Sequence, residues 1–332
     1  MEDSAKPAAS TVVERAASRL GRLALRADAL WLRMTGGATL ARRVEAVPGD
    51  PDDWSFLRRP ALLGFVAVLA ICLGASLPSS PFKLEGSQGG SWFFGETAWP
   101  TDALMLQGVV AVYGGMVLFV RVWWGLYRTL RSRPAVPIRQ LCYMLAVWMA
   151  PLLVVAPLFS RDVFSYAAQG ELMSHAINPY HYGPGTIGSG PYVSGVDPLW
   201  ANTPAPYGPL FLILAGWSAT LTLHHALLTI ELLRLQSVVG VALMAYCIPK
   251  LARSFGHDPG PAFVLAVLNP LTLLALVGGA HNDAIMVGLL LAGITAARSL
   301  HPVWGVVLCA LAASIKVPAA IGIVYVAWDW AG

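Results

Sequence analysis

Apolar stretches too long for a soluble core recur down this chain, at 61–79, 103–126, about 138–158, 231–251, 261–278 and 303–327. Each approaches the roughly 20 residues that carry a helix across the hydrocarbon core of a bilayer. A segment in lipid must satisfy its own backbone hydrogen bonds, so such runs read as helices. Only 12% of the residues are charged and 56% are hydrophobic, with mean hydropathy +0.62. Soluble proteins carry about 25% charged residues. The expected fold class is therefore all-α: a polytopic transmembrane protein with about 7–8 membrane helices. Its first partner is the lipid bilayer.

The remaining bulk features exclude more than they specify. A net charge of +4 calls for no nucleic acid. Cys72, Cys142, Cys247 and Cys309 all lie in apolar runs and read as small buried hydrophobes. The first apolar run starts near Ala61, too far in for a cleaved signal peptide. Residues 1–60 form a basic leader. Its segment 12–34 spaces Arg15, Arg19, Arg22, Arg26 and Arg33 as an amphipathic surface helix would, although a flexible tail also fits.

Lys and Arg favour the cytoplasmic side of a membrane. The leader and the arginine-dense 121–139 region then face the cytoplasm, and 80–102 and 159–208 face out. If 209–223 crossed, Lys250 and Arg253 would lie outside, and 279-GAHND-283 would lie on the face opposite Asp162. If 209–224 instead lies along the interface, all three groups fall on the favoured side. That segment is also too short to span. The expected domains are a cytoplasmic leader over 1–60 and a membrane domain over 61–332. Within the latter, 159–208 is an outer catalytic loop and 209–224 an interfacial helix.

The polar residues that follow the third run are the chief functional signal. In 159-FSRDVFSYAAQGELMSHAINPY-180, Asp162 stands beside Arg161 at a membrane edge. A cation nearby favours the charged form of a carboxylate and an apolar setting disfavours it, a balance suited to a general base. The pair also fits a plain helix-end mark. Phe164, Tyr166, Gln169, Glu171 and His175 follow at the spacing of a short interfacial helix with aromatic and hydrogen-bonding faces, a surface that suits a sugar. Tyr180 and Tyr207 flank a loop rich in Gly, Pro and aromatics, where interface-belt aromatics are also common. His281, Asn282 and Asp283 fit either a capped turn or a group meeting the Asp162 helix across a cavity. Arg234 stands at the outer edge where a crossing helix begins and Lys316 within the last run, positions where a cation either snorkels or contacts phosphate. His224 and His225 read as caps. No metal-ligand spacing, phosphate-cradling glycine loop or Ser-His-Asp order stands out.

The strings 160-SRDVFSYAAQGEL-172, 178-NPY-180, 204-PAPYGPLF-211, 269-NP-270, 279-GAHNDAIMVG-288 and 315-IKVPA-319 occur in this order. Over roughly 100–330 they resemble the polyprenyl-phosphomannose-dependent α-1,6-mannopyranosyltransferases of actinobacteria, multi-spanning enzymes of the GT-C glycosyltransferase superfamily. The resemblance implies a plasma-membrane enzyme with a cytoplasmic N-terminus and its site on the outer face. Its partners would be a polyprenyl-phosphate-mannose donor and a mannoside glycolipid acceptor in lipomannan core synthesis, with inversion at the sugar. It implies Asp162 as the base. Arg161, Arg234 and Lys316 are the candidate phosphate contacts, and Tyr166, Gln169, Glu171, Tyr180, Tyr207, His281, Asn282 and Asp283 the candidate sugar or acceptor contacts. No cofactor is called for, and a divalent cation is left open. Family members run longer, so this chain is expected to be C-terminally truncated. Two other readings stay open: a GT-C transferase for another lipid-linked sugar, and a transporter or channel, which polar residues near membrane helices also mark.

Overall fold

The chain divides into two units, Met1–Asp53 and Trp54–Gly332. The computed structural model describes residues 55–77, 80–82, 105–132, 136–299 and 301–331, all in the second unit. The leader up to residue 54 and most of the 80–102 loop lie outside the described residues. Among the described residues every regular element is a helix. After a turn at Ser55–Leu57, α1 covers Arg58–Ser76, α2 Met105–Arg131 and α3 Ile138–Met149. Then come α4 (Asp162–Ser174), α5 (Pro209–Leu221), α6 (Ala226–Ser254), α7 (Pro259–Ala266) and a π-helical turn at Thr272–Gly278. The last three are α8 (Asp283–Arg298), α9 (Pro302–Ala313) and α10 (Ile321–Ala331).

Contacts sort the helix ends into two groups. At one end, Arg298 donates Nε to Ser254 Oγ at 3.0 Å and Nη2 to the Ser254 carbonyl at 3.3 Å, joining α8 to α6. A Cβ on Gly260 would lie 3.9 Å from Leu130 Cδ1, so α7 starts beside the end of α2. Arg128, Arg131, Arg253 and Arg298 all close their helices at this end. At the other end, the Leu158 N–H donates to the Gly278 carbonyl at 3.0 Å, and the Gly208 N–H to the Ile315 carbonyl at 2.9 Å. Here the chain turns into α4, α5 and α8.

α5 has both of its ends in this second group. It begins at the Gly208–Ile315 bond and runs directly into α6. Thirteen helical residues rise about 20 Å, short of the roughly 30 Å of hydrocarbon. α6 has 29 residues, about 43 Å, more than a crossing needs. Its surplus lies ahead of Ser237, where Gln236 Nε2 donates to Ser218 Oγ of α5 at 2.9 Å and Thr229 Oγ1 bonds Tyr192 Oη at 2.8 Å. Further along, a Cβ on Gly240 would fall 2.2 Å from the Ala284 carbonyl carbon. Helices in lipid gain little from apolar burial, so close backbone approach of this kind supplies the packing instead.

Three helices, Ser55–Ser76, Met105–Arg131 and Ala226–Ser254, are long and apolar enough to cross a membrane. A fourth span follows if Thr272–Gly278 and Asp283–Arg298, bent by 115°, count as one. Ile138–Leu153, Pro209–Leu221, Pro302–Ala313 and Val317–Ala331 are shorter apolar helices. Two of the sequence's continuous runs are interrupted. The 261–278 run stops at Ala266, and Asn269–Pro270 separates it from the π turn. Proline lacks the N–H for a helical bond and disfavours helical backbone in the residue before it. The 303–327 run breaks between Ala313 and Val317, where Lys316 is extended (φ −152°, ψ 124°).

Candidate functional site

Two polar turns meet at the second end, each approached through a strained residue. Phe159 (φ 62°) precedes Ser160–Arg161–Asp162, and Ala280 (φ 52°) precedes His281. A left-handed non-glycine costs roughly 1–3 kcal/mol and persists only where its surroundings over-determine it. The Leu158–Gly278 hydrogen bond fixes one turn against the other. Asp162 and Asp283 each begin a helix, where the macrodipole favours negative charge. The Asp162 N–H is held by Ser160 Oγ at 3.1 Å.

The side chains then converge. His281 Nδ1 lies 3.4 Å from Asp162 Oδ2. Tyr166 Oη donates to Asn282 Oδ1 at 3.5 Å. Lys316 Nζ donates to both oxygens of Asp283 at 3.0 Å and lies 5.9 Å from the Tyr207 ring centre. Tyr207 meets Tyr166 edge to face at 5.1 Å, and the Tyr207 carbonyl accepts from Tyr180 Oη at 3.0 Å. The Ala205 N–H donates to the Pro179 carbonyl at 2.8 Å. Five stretches far apart in sequence, 160–172, 178–180, 204–211, 279–288 and 315–319, are thereby joined. The string 269–270 stands apart at the break after α7.

α4 differs from the surface helix that its polar residues suggested. Every residue from Val163 to Leu172 is buried. The long loop covers it, with a Gly195 Cβ position only 2.2 Å from the Phe164 ring, and α5 packs so closely that a Cβ on Gly170 would fall 2.4 Å from the Ala215 carbonyl oxygen. Burial first, then the neighbouring Tyr207 and Asp162, pushes the Tyr166 phenol well above its ordinary range. Tyr207 is pushed up to about 12, mainly by burial, with the Asp162 and Asp283 carboxylates adding to it. Both remain neutral hydroxyls near neutral pH. Ser165 Oγ, Gln169 Oε1 and Asn282 Nδ2 are buried with no hydrogen-bond partner among the described residues. Ser165 and Gln169 fall on the Asp162 face of α4, three and seven residues along.

The remaining expected residues are placed differently. Arg161 is half-buried beside Asp162, at the cap of α4. Arg234 is 1% exposed and pairs with Glu231 at 3.0 Å. It lies one turn before Ser237, whose Oγ donates to the His281 carbonyl at 3.1 Å. Glu171 is not with the others. It sits about 14 Å along α4 from Asp162, with Oε2 2.9 Å from His224 Nδ1 and Oε1 3.5 Å from His175 Nδ1. This is a separate group that could hold a metal ion. His224 had no sequence signal beyond a polar residue ahead of a helix, because its partner is 53 residues away.

The family described as "Alpha-(1->6)-mannopyranosyltransferase, N-terminal domain" matches residues 61–332. The chain belongs to this family. It is 34% identical over 276 residues to Alpha-(1->6)-mannopyranosyltransferase A of Mycobacterium tuberculosis, covering 82% of this chain and 52% of that protein. It is 32% identical over 234 residues to Alpha-(1->6)-mannopyranosyltransferase A of Corynebacterium glutamicum, covering 67% of this chain and 47% of that one. The B enzyme of the same organism is 30% identical over 268 residues, covering 78% of this chain and 44% of that protein. The chain thus spans about half the length of the curated relatives it matches. No solved structure matches it.

Proposed function

We propose that the protein is a membrane mannosyltransferase. It moves mannose from polyprenyl-phosphate-mannose to the 6-hydroxyl of an α-mannoside glycolipid, inverting the configuration at the sugar's C1, in lipomannan core synthesis. The observation that carries this reading is the joining of five family strings around Asp162 at the helix ends opposite the arginine-rich ones. Asp162 takes the proton from the acceptor hydroxyl as its oxygen bonds to C1. The bond from C1 to the phosphate oxygen breaks, and polyprenyl phosphate leaves with the electron pair. His281 orients the Asp162 carboxylate. Lys316 and Arg161 stabilise charge on the departing phosphate. Arg234, enclosed and paired with Glu231, supports the wall behind His281. Tyr166, Ser165, Gln169 and Asn282 form the enclosed wall behind Asp162, while the exposed ring of Tyr180 and the half-buried ring of Tyr207 are the surfaces open for stacking on the sugar.

In this reading the arginine-rich end faces the cytoplasm of a plasma-membrane protein and the Asp162 end faces out. α5 lies along the outer interface. α1, α2 and α6, each long and apolar enough, cross the bilayer; a count of about 7–8 crossings requires the shorter α3, α7–π segment, α8, α9 and α10 to cross as well. The leader stays on the cytoplasmic side. The test is to offer the full-length protein, in membranes, polyprenyl phosphates bearing mannose, arabinose or glucose with an α-1,6-mannoside acceptor. Transfer of mannose alone, giving an α product, is expected. Preference for another sugar moves the protein to a different transferase class, and solute movement without transfer would make it a transporter.

A further inference from the structure

Glu171, His175 and His224 form a cluster that the transfer reaction does not use. Each offers one ligand atom, and the three atoms lie within 4.8 Å of one another. The Glu171 side chain is 11% exposed, while those of His175 and His224 are 56% and 44% exposed. The two rings are 5.1 Å apart. A zinc ion bonds imidazole nitrogen and carboxylate oxygen at about 2.0–2.2 Å, so tetrahedral ligands stand about 3.3 Å apart. The His224–Glu171 separation of 2.9 Å is already near that value, and exposed His175 needs only a rotation about its side-chain bonds to close the set. Imidazole with one carboxylate suits zinc and its transition-metal neighbours over magnesium or calcium, which take oxygen ligands.

We propose that Glu171, His175 and His224 bind a divalent transition ion of the zinc class, one per chain. Glu171 and His175 come from the last turns of α4, and His224 from the turn between α5 and α6. The ion therefore fastens the far end of α4 to that turn. The site stands about 14 Å along α4 from Asp162, too far for the ion to touch the groups that transfer the sugar. Two histidines and one carboxylate leave a coordination position for water.

The test uses full-length protein purified in detergent through a tag without histidines. Its zinc content is measured, and Co2+ alone is titrated into chelator-treated protein while the visible bands of low-symmetry Co2+ are followed. About one equivalent of zinc is expected in wild type. Glu171→Gln and His224→Ala should fall to background, and His225→Ala, in the same turn but outside the cluster, should retain the metal. His224 is exposed enough that its alanine variant keeps the test open should Glu171→Gln fail to fold. No uptake by wild type, or equal uptake by His224→Ala, overturns the proposal. Zinc retained in a protein that transfers no sugar would leave it standing, so its failure and that of the transferase reading are distinct.

Discussion

Gly208 is the position where a single methyl group should separate structure from catalysis. Its backbone is ordinary (φ −72°, ψ 164°), so alanine meets no conformational strain there. The obstacle is contact alone: an added Cβ would lie 2.3 Å from the Ser314 carbonyl oxygen and 2.6 Å from its carbon. Relaxing that contact to ordinary van der Waals separation moves the 204–211 turn about 1 Å away from 314–316. Tyr207 and Lys316 sit on those two turns, so the movement spreads the site. A 1 Å misplacement costs about 10²-fold in rate, which is about 2.7 kcal/mol of transition-state stabilisation. Gly208→Ala should therefore lower kcat/KM for mannosyl transfer about a hundredfold at unchanged protein level in the membrane. Gly125→Ala, on α2 where an added Cβ meets nothing within 4 Å, should be silent. Activity within twofold of wild type in Gly208→Ala would refute the coupling of these two turns to the reaction.

Other outcomes follow from the same contacts. Gly240→Val forces α6 off α8, where an added Cβ already lies 2.2 Å from Ala284. It should lower Tm in detergent, with about 1–3 kcal/mol lost to overpacking. Tyr207 has its pKa raised to about 12 in the folded protein, against about 10 unfolded. Its contribution to stability is complete below pH 10 and is lost as pH rises from 10 to 12, so Tyr207→Phe should flatten the fall of Tm across that window. In a background lacking the four native cysteines, His225→Cys should label from outside and His257→Cys only after permeabilisation. Labelling of His257→Cys from outside would contradict the position given to α5.

The sequence showed the helical membrane class through its run lengths, and it showed α4 through the polar residues after Asp162. It did not show that α4 is enclosed, because the cover comes from 178–208 and α5, whose own patterns say only that they are aromatic or apolar. His281, Asn282 and Asp283 were legible as candidates to meet Asp162. The Lys316–Asp283 pair was not, since apolarity around Lys316 masked the break that turns it toward α8. Glu171 matched the sugar pattern by proximity in sequence, yet helical rise carries it away from Asp162 and toward His224. Arg234 looked like an edge cation, and its partner Glu231, three residues before it, holds it inside the protein.

The most direct measurement is transfer of labelled mannose from polyprenyl-phosphomannose to an α-1,6-mannoside acceptor, in membranes carrying full-length wild type or Asp162→Asn at equal levels. A general base is worth about 10²–10⁴-fold. The account predicts a loss of that size in Asp162→Asn. Equal activity in the two would contradict it and move the base to Asp283.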